Sequence, residues 1–532
     1  MTTIETHAGA TAPATGTPSF LGTVGDWVTS GDHKKVGRMW LGSSLVLAVV
    51  TLLFGALIGL ERVSPDSSQI FPDDAVLQVV QLNRFGLVLG VLAPLFLAVA
   101  IAVVPLQVGS RAIALPRLAQ YGFWTWLLGV VLYVVALAGN GGAGGGTTDL
   151  VDLSLLATAV TAVGLLAGAM SVAVTVTTSR APGMSLDRIP LFSWAALVGA
   201  VAAILSLPVA IGTIAYLYVD HTHAGAAFGG NDALASWFDW SLTQPMTMVF
   251  VIGALGVLAE VAPVAGRVRH PARGPAMAGF GLVSVAALAA VTQTSHTLSW
   301  DGSAGDTIAS AVLYLVFNGL PVLGVLTVVG TSVLAAGRSR GALRPPFVFA
   351  ASGSLMILAG VGANAIGAID DLGVVGTVFE EGVLLYLVTG ALLSALGALA
   401  HWSPKLNGRV ADDKKLLPVA ALGLVGSILA SLPLLVFGIV DKPARQAVFF
   451  DVGGSAALWS ALSTVGLVLV VLAVVAGVAA VRAGTTAPDD PWDGHTLEWA
   501  VPSPAPRDNF AELALVGSAE PLLDVKPREV AP

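Results

Sequence analysis

Residues 84–108 read RFGLVLGVLAPLFLAVAIAVVPLQV. Beyond Arg84 this stretch carries no charged side chain. About 20 apolar residues at ~1.5 Å each are enough to cross a ~30 Å hydrocarbon layer. Inside lipid a single segment can satisfy its own backbone donors and acceptors only as a helix, so the stretch reads as a membrane span. Runs of the same kind recur outward in both directions, at roughly 38–61, 122–139, 152–178, 190–218, 243–265, 275–293, 308–336, 346–370, 380–401, 415–440 and 456–482. With 84–108 they make twelve. The predicted fold is an all-α integral membrane protein, because a barrel would show short alternating strands instead.

Composition agrees. Of 532 residues, 55% are hydrophobic and 11% charged, against about 25% charged in soluble chains. An ordinary soluble enzyme is excluded. The net charge of −8 says little about partners beyond the lipid bilayer, and no nucleic-acid partner is expected. There are no cysteines, which rules out disulfides and thiolate metal sites and leaves His and carboxylates as metal ligands.

Orientation follows from the loops. The N-terminal flank and the even-numbered connections carry seventeen Lys and Arg, from Lys34 and Lys35 to Lys414 and Lys415. The odd-numbered connections carry four, namely Arg62, Arg84, Lys442 and Arg445. Positive charge stays inside, so both termini are expected in the cytoplasm of a bacterial-type inner (cell) membrane. Residues 1–20, rich in Thr, Ala, Gly and Pro, read as a disordered lead without the charged-then-apolar pattern of a cleaved signal. Residues 21–482 form the twelve-helix transmembrane domain. Residues 483–532 read as an extended, Pro-rich cytoplasmic tail.

Four stretches carry a resemblance. Asp32-His33-Lys34-Lys35-Val36-Gly37 is similar to a DHKxIG motif. Val104-Pro105-Leu106-Gln107-Val108-Gly109-Ser110-Arg111 with Leu115-Pro116-Arg117-Leu118 is similar to VPLQIGARDMAFPRLN. Trp402-Ser403-Pro404-Lys405-Leu406-Asn407-Gly408-Arg409 is similar to WFPKMTGR. Pro491-Trp492, Thr496-Leu497-Glu498-Trp499 and Pro502-Ser503-Pro504 are similar to PWG…TLEW…SPPP. In this order, around twelve spans, they resemble the haem-copper oxidase subunit I family, the catalytic subunit of cytochrome c and quinol oxidases. The resemblance implies that family's three-lobed helix bundle.

It also implies haem and copper ligands, and here the chain departs from the pattern. No histidine lies between His33 and His221, and none between His296 and His401. The family's helix-two haem ligand falls at Asn83, and its helix-ten pair at Gly382 and Leu384. The family's HPEVY copper motif in helix six reads Gln244-Pro245-Met246-Thr247-Met248. Its helix-seven His pair falls at His296-Thr297, where one imidazole cannot define a copper site. The proton-route positions are Ala112, Ala119 and Val325, and the Arg pair that holds haem propionates reads Ala444-Arg445. Imidazole suits iron and copper; the amide and aliphatic groups that replace it do not.

The expected function is therefore a degenerate subunit I-like protein without haem or copper. It would act as a structural, assembly or regulatory component beside oxidase subunit II/III-like proteins or another respiratory complex. One alternative is a genuine terminal oxidase, which would need haem and copper. The other is a transporter or channel reusing the bundle, with Glu260, Asn364, Glu380 and Glu381 as its polar positions. The acids and Arg445 have a second reading: Glu260 as a membrane-edge acid, Glu380 and Glu381 as solvated or paired end charges, and Arg445 as an outer-surface cation.

Overall fold

The computed structural model describes residues 20–63, 70–72, 75–143, 145–225, 227, 234, 237–238, 244–292, 296–338, 343–440, 454–512 and 515–525. The disordered lead expected for 1–20 lies outside the described residues except for Phe20, where a short helix, Phe20–Val28, begins.

Among the described residues, twelve helices are long and apolar enough to cross a membrane. They are α1 His33–Val63, α2 Val76–Gln107, α3 Pro116–Ala138, α4 Thr148–Thr178, α5 Leu191–Thr222, α6 Gln244–Gly266, α7 Arg273–Thr292, α8 Ala304–Ala336, α9 Pro345–Gly367, α10 Phe379–Asn407, α11 Asp413–Gly438 and α12 Gly454–Arg482. The all-helical bundle expected from the apolar runs is what forms.

Burial sorts the helices. The most apolar stretch of α2 is 100% buried, that of α10 89% and that of α6 83%, whereas α8 buries 28%. Helices α2, α6 and α10 are thus the interior, and the others turn one face to lipid. Neighbours in sequence pack side by side, as in α3 with α4, α9 with α10 and α11 with α12, and α12 closes against α1. Lipid is as apolar as leucine, so helices associate through close packing. A Cβ on Gly353 of α9 would stand 2.4 Å from the Gly390 carbonyl oxygen of α10, which fixes glycine at that crossing.

Helix α2 widens into a π segment over Gly86–Leu92. The altered ladder leaves carbonyls to be satisfied from outside, and Trp126 Nε1 of α3 donates to the Leu89 carbonyl at 2.8 Å.

The tail departs from the extended form expected for it. Its first residues pair Thr485–Thr486 with Arg409–Val410 in a short antiparallel ladder. The chain then crosses the helix ends and buries Leu497, Trp499 and Val501. Proline lacks a backbone donor and interrupts helix interiors and ladders, and this irregular, Pro-rich chain is held by side chains. Lys405 Nζ donates to the carbonyls of Asp489 (2.6 Å) and Val501 (2.5 Å). Trp492 Nε1 donates to the His401 carbonyl at 2.8 Å. Asn509 accepts from Lys34 Nζ at 3.0 Å and donates to the Ser110 carbonyl at 2.8 Å. Composition marked the segment as polar and Pro-rich; it did not mark these anchors.

Candidate functional site

The positions that the resemblance assigns to haem ligands lie where α1, α2, α10, α11 and α12 meet. Asn83 Nδ2 donates to the Thr51 carbonyl of α1 at 2.7 Å. Leu384 is half-buried and, with Asn83, lines a cavity of about 70 Å³. Its walls include Leu52, Gly55, Leu385 and Leu467, and Arg62 and Glu381 also line it. Gly382 is not among the lining residues. A Cβ there would sit 2.9 Å from the Ser431 carbonyl oxygen and 3.0 Å from the Leu435 amide nitrogen of α11. The structure therefore brings Asn83, Leu384 and Glu381 around one space and turns Gly382 onto a neighbouring backbone.

The centre between α2, α6 and α10 is filled with aromatic rings. Phe96 of α2 lies against Gly199 and Gly253, where an added Cβ would approach its ring to 3.0 and 2.5 Å. Its centroid is 6.3 Å from that of Phe250. The remaining space beside Phe96, Phe192 and Phe250 is about 20 Å³. Ordinary ligand pockets measure about 300–1,000 Å³. Neither space suits a porphyrin, and neither offers an imidazole to its iron. The residues present do not fit the family's haems in the family's way.

The copper positions are similarly placed. Gln244 begins α6, and its side chain, like that of Met246, lies outside the described residues. Met248 is buried among apolar neighbours. The His296 carbonyl accepts from Asn318 Nδ2 at 3.1 Å, and its ring meets Phe317 edge-on at 6.2 Å. Asn318 in turn accepts from Asn364 Nδ2 at 3.0 Å. Thr297 is half-buried beside this network. Among the described residues, no group of three or more His, Cys, Asp or Glu could hold a metal ion.

The remaining polar candidates make structural contacts. Glu260 Oε2 accepts the Phe192 backbone N–H at 3.1 Å in the first turn of α5, and Oε1 accepts from Thr496 of the tail at 3.3 Å. Glu380 Oε1 accepts the Gly376 N–H at 2.9 Å. Glu381 forms a two-pronged pair with Arg62, so the two adjacent acids turn to different partners. Arg445 lies outside the described residues.

Sequence reasoning missed a second polar cluster beneath the tail. Glu498 is fully buried; its Oε1 accepts from Gln107 Nε2 and from Trp402 Nε1, each at 3.1 Å. Gln107 Oε1 accepts from Ser193 at 2.8 Å. Burial pushes the Glu498 carboxyl above the usual carboxylate range, against the bonds from Gln107 and Trp402. Burial also raises Glu520, whose Oε1 accepts the His270 N–H at 3.0 Å. His270 is pushed down to about 4 by burial and by the Arg273 charge. The available signal was Glu498 standing between Leu497 and Trp499 in an otherwise polar segment.

Comparison with known proteins follows the same lines. Residues 35–476 match the family described as Cytochrome C and Quinol oxidase polypeptide I. The chain is 26% identical to cytochrome c oxidase subunit 1 of Bacillus subtilis, over 93% of this chain and 82% of that protein. It is 26% identical to a probable cytochrome c oxidase subunit 1-beta of Nocardia farcinica, over 94% and 87%. It is 25% identical to a haem-copper oxidase subunit I+III of Aeropyrum pernix, over 93% of this chain but only 63% of that protein. With its twelve helices, its central α2, α6 and α10 and a match over most of its length, the chain belongs to the haem-copper oxidase subunit I family.

Proposed function

We propose that this protein is a non-catalytic member of the family that binds neither haem nor copper. In this reading it serves a respiratory or other membrane complex as a structural, assembly or regulatory subunit. The observation that carries the reading is the setting of Gly382, whose missing side chain is replaced by the backbone of α11. Asn83, bonded to Thr51, and the aromatic filling around Phe96 support it. The partners proposed are oxidase subunit II/III-like proteins in a bacterial-type inner membrane, with both termini cytoplasmic. Among the described residues, no contact favours the oxidase reading. The transporter reading loses support because Glu260, Asn364, Glu380 and Glu381 all accept or donate in contacts that tie helices and loops together.

The test is a visible spectrum and a metal analysis of protein purified in mild detergent. The expected result is no Soret band and iron and copper far below one per chain. Stoichiometric haem would overturn the proposal, and co-purification with other respiratory subunits would identify the partner.

A further inference from the structure

Glu498 lies in the short turn Leu497–Ala500 of the tail and is fully buried. Its Oε1 takes hydrogen bonds from α2 (Gln107) and α10 (Trp402), while Oε2 has no hydrogen-bond partner among the described residues. Two residues earlier Thr496 donates to Glu260 of α6, so a second buried acid approaches the same piece of tail. The other charged or titratable groups facing this region are Arg273 of α7, His401 and Lys405 of α10, and Asp489, Asp490, His495 and Glu520 of the tail. Lys405 is the cation on the α10 side. Its ammonium is bonded to the Asp489 and Val501 carbonyls, and no ion pair joins it to Glu498 among the described residues.

We propose that Glu498 is a proton-operated catch for the tail. The tail docks with this side chain as the neutral acid, and loss of its proton releases residues 489–505 from the ends of α2 and α10. The inference stands whether or not the chain binds haem. An ionised carboxylate shut away from water with one oxygen unpartnered is far costlier than the neutral acid in the same place. An acid whose docked pKa is raised strengthens docking below its free value. That contribution is lost as pH rises through the docked value, so docking weakens toward alkaline pH.

The test uses the full chain in lipid nanodiscs. Hydrogen exchange over residues 489–505, corrected for intrinsic rates, is followed from about pH 5 to about pH 9. Between the free and the docked pKa, protection is expected to fall by up to about tenfold per pH unit, and above the docked value it should level off. The Glu498→Gln variant, which keeps the shape without the proton, should show a flat profile. Infrared spectra of the wild type should lose a protonated-carboxyl band over the same pH range, which keeps the test decisive if the variant misfolds. A flat wild-type profile, an unchanged slope in Glu498→Gln, or no carboxyl band lost with protection would each overturn the proposal.

Discussion

Arg62 at the end of α1 and Glu381 at the start of α10 meet in a parallel, two-pronged pair, Nη1 to Oε2 at 2.7 Å and Nη2 to Oε1 at 3.0 Å. The guanidinium fork matches a carboxylate, and both ends of the contact are oriented by it. The pair lines the 70 Å³ cavity beside Asn83 and ties together two helices through residues 319 apart in the chain. The side chains are 5% and 22% exposed. Removing one partner of a buried pair costs about 3–5 kcal/mol, and the exposure of Glu381 reduces this. Glu381→Gln should therefore lower stability by about 2 kcal/mol, measured by thermal unfolding in detergent. A double-mutant cycle with Arg62→Gln should return most of that loss as coupling; additive effects would show that the pair contributes nothing.

Restoring histidines at Asn83, Gly382 and Leu384 should not restore haem. An imidazole at Gly382 must start from a Cβ 2.9 Å from a backbone oxygen, which cannot swing aside as a flexible side chain could. Overpacking of this kind costs about 1–3 kcal/mol. The triple variant should be less stable and colourless after reconstitution with haem. A bis-histidine spectrum would show that the pocket opens readily and that the proposed repacking is wrong.

The spans were legible because each apolar run announces itself without tertiary help, whereas their ends were less so. The second run reads as starting at Arg84, yet α2 begins at Val76. Its polar first turns find partners inside the protein, with Gln78 Nε2 donating to Asn140 Oδ1 at 2.7 Å and Asn83 to Thr51, although not every polar atom there is bonded among the described residues. Likewise α1 begins at His33 rather than 38, because His33 and Lys34 meet Asn509 of the tail. These partners lie far away in sequence, and no local pattern encodes them. The histidine gaps were legible too. How the centre packs was not: Phe96 looks like any phenylalanine until Gly199 and Gly253 are seen across from it.

That filling can be emptied. Phe96→Ala removes a ring packed between α5 and α6 by two glycines, neither of which has a side chain to collapse inward. Phe→Ala substitutions in cores cost about 3–5 kcal/mol. Part of the usual figure is transfer from water, which helix association within lipid does not supply, so a loss of about 3 kcal/mol is expected. Thermal unfolding measures it. A loss below about 1 kcal/mol would mean that the centre of the bundle is loosely packed.

Orientation is open to a direct test because the chain has no cysteine of its own. The tail contacts His33 and Lys34, so the start of α1 and the tail share one face, as an even number of spans requires. In the sequence, seventeen loop cations fall in the connections assigned to that side and four in the others, and from the positive-inside rule we propose that the richer side is cytoplasmic. Leu343, 68% exposed before α9, belongs to the tail face; Val375, 56% exposed between α9 and α10, belongs to the opposite one. In intact cells a membrane-impermeant maleimide should label Val375→Cys and spare Leu343→Cys. Once the membrane is broken, both should react. The reverse pattern would place the termini outside and overturn the proposed orientation, while labelling of both in intact cells would show mixed insertion.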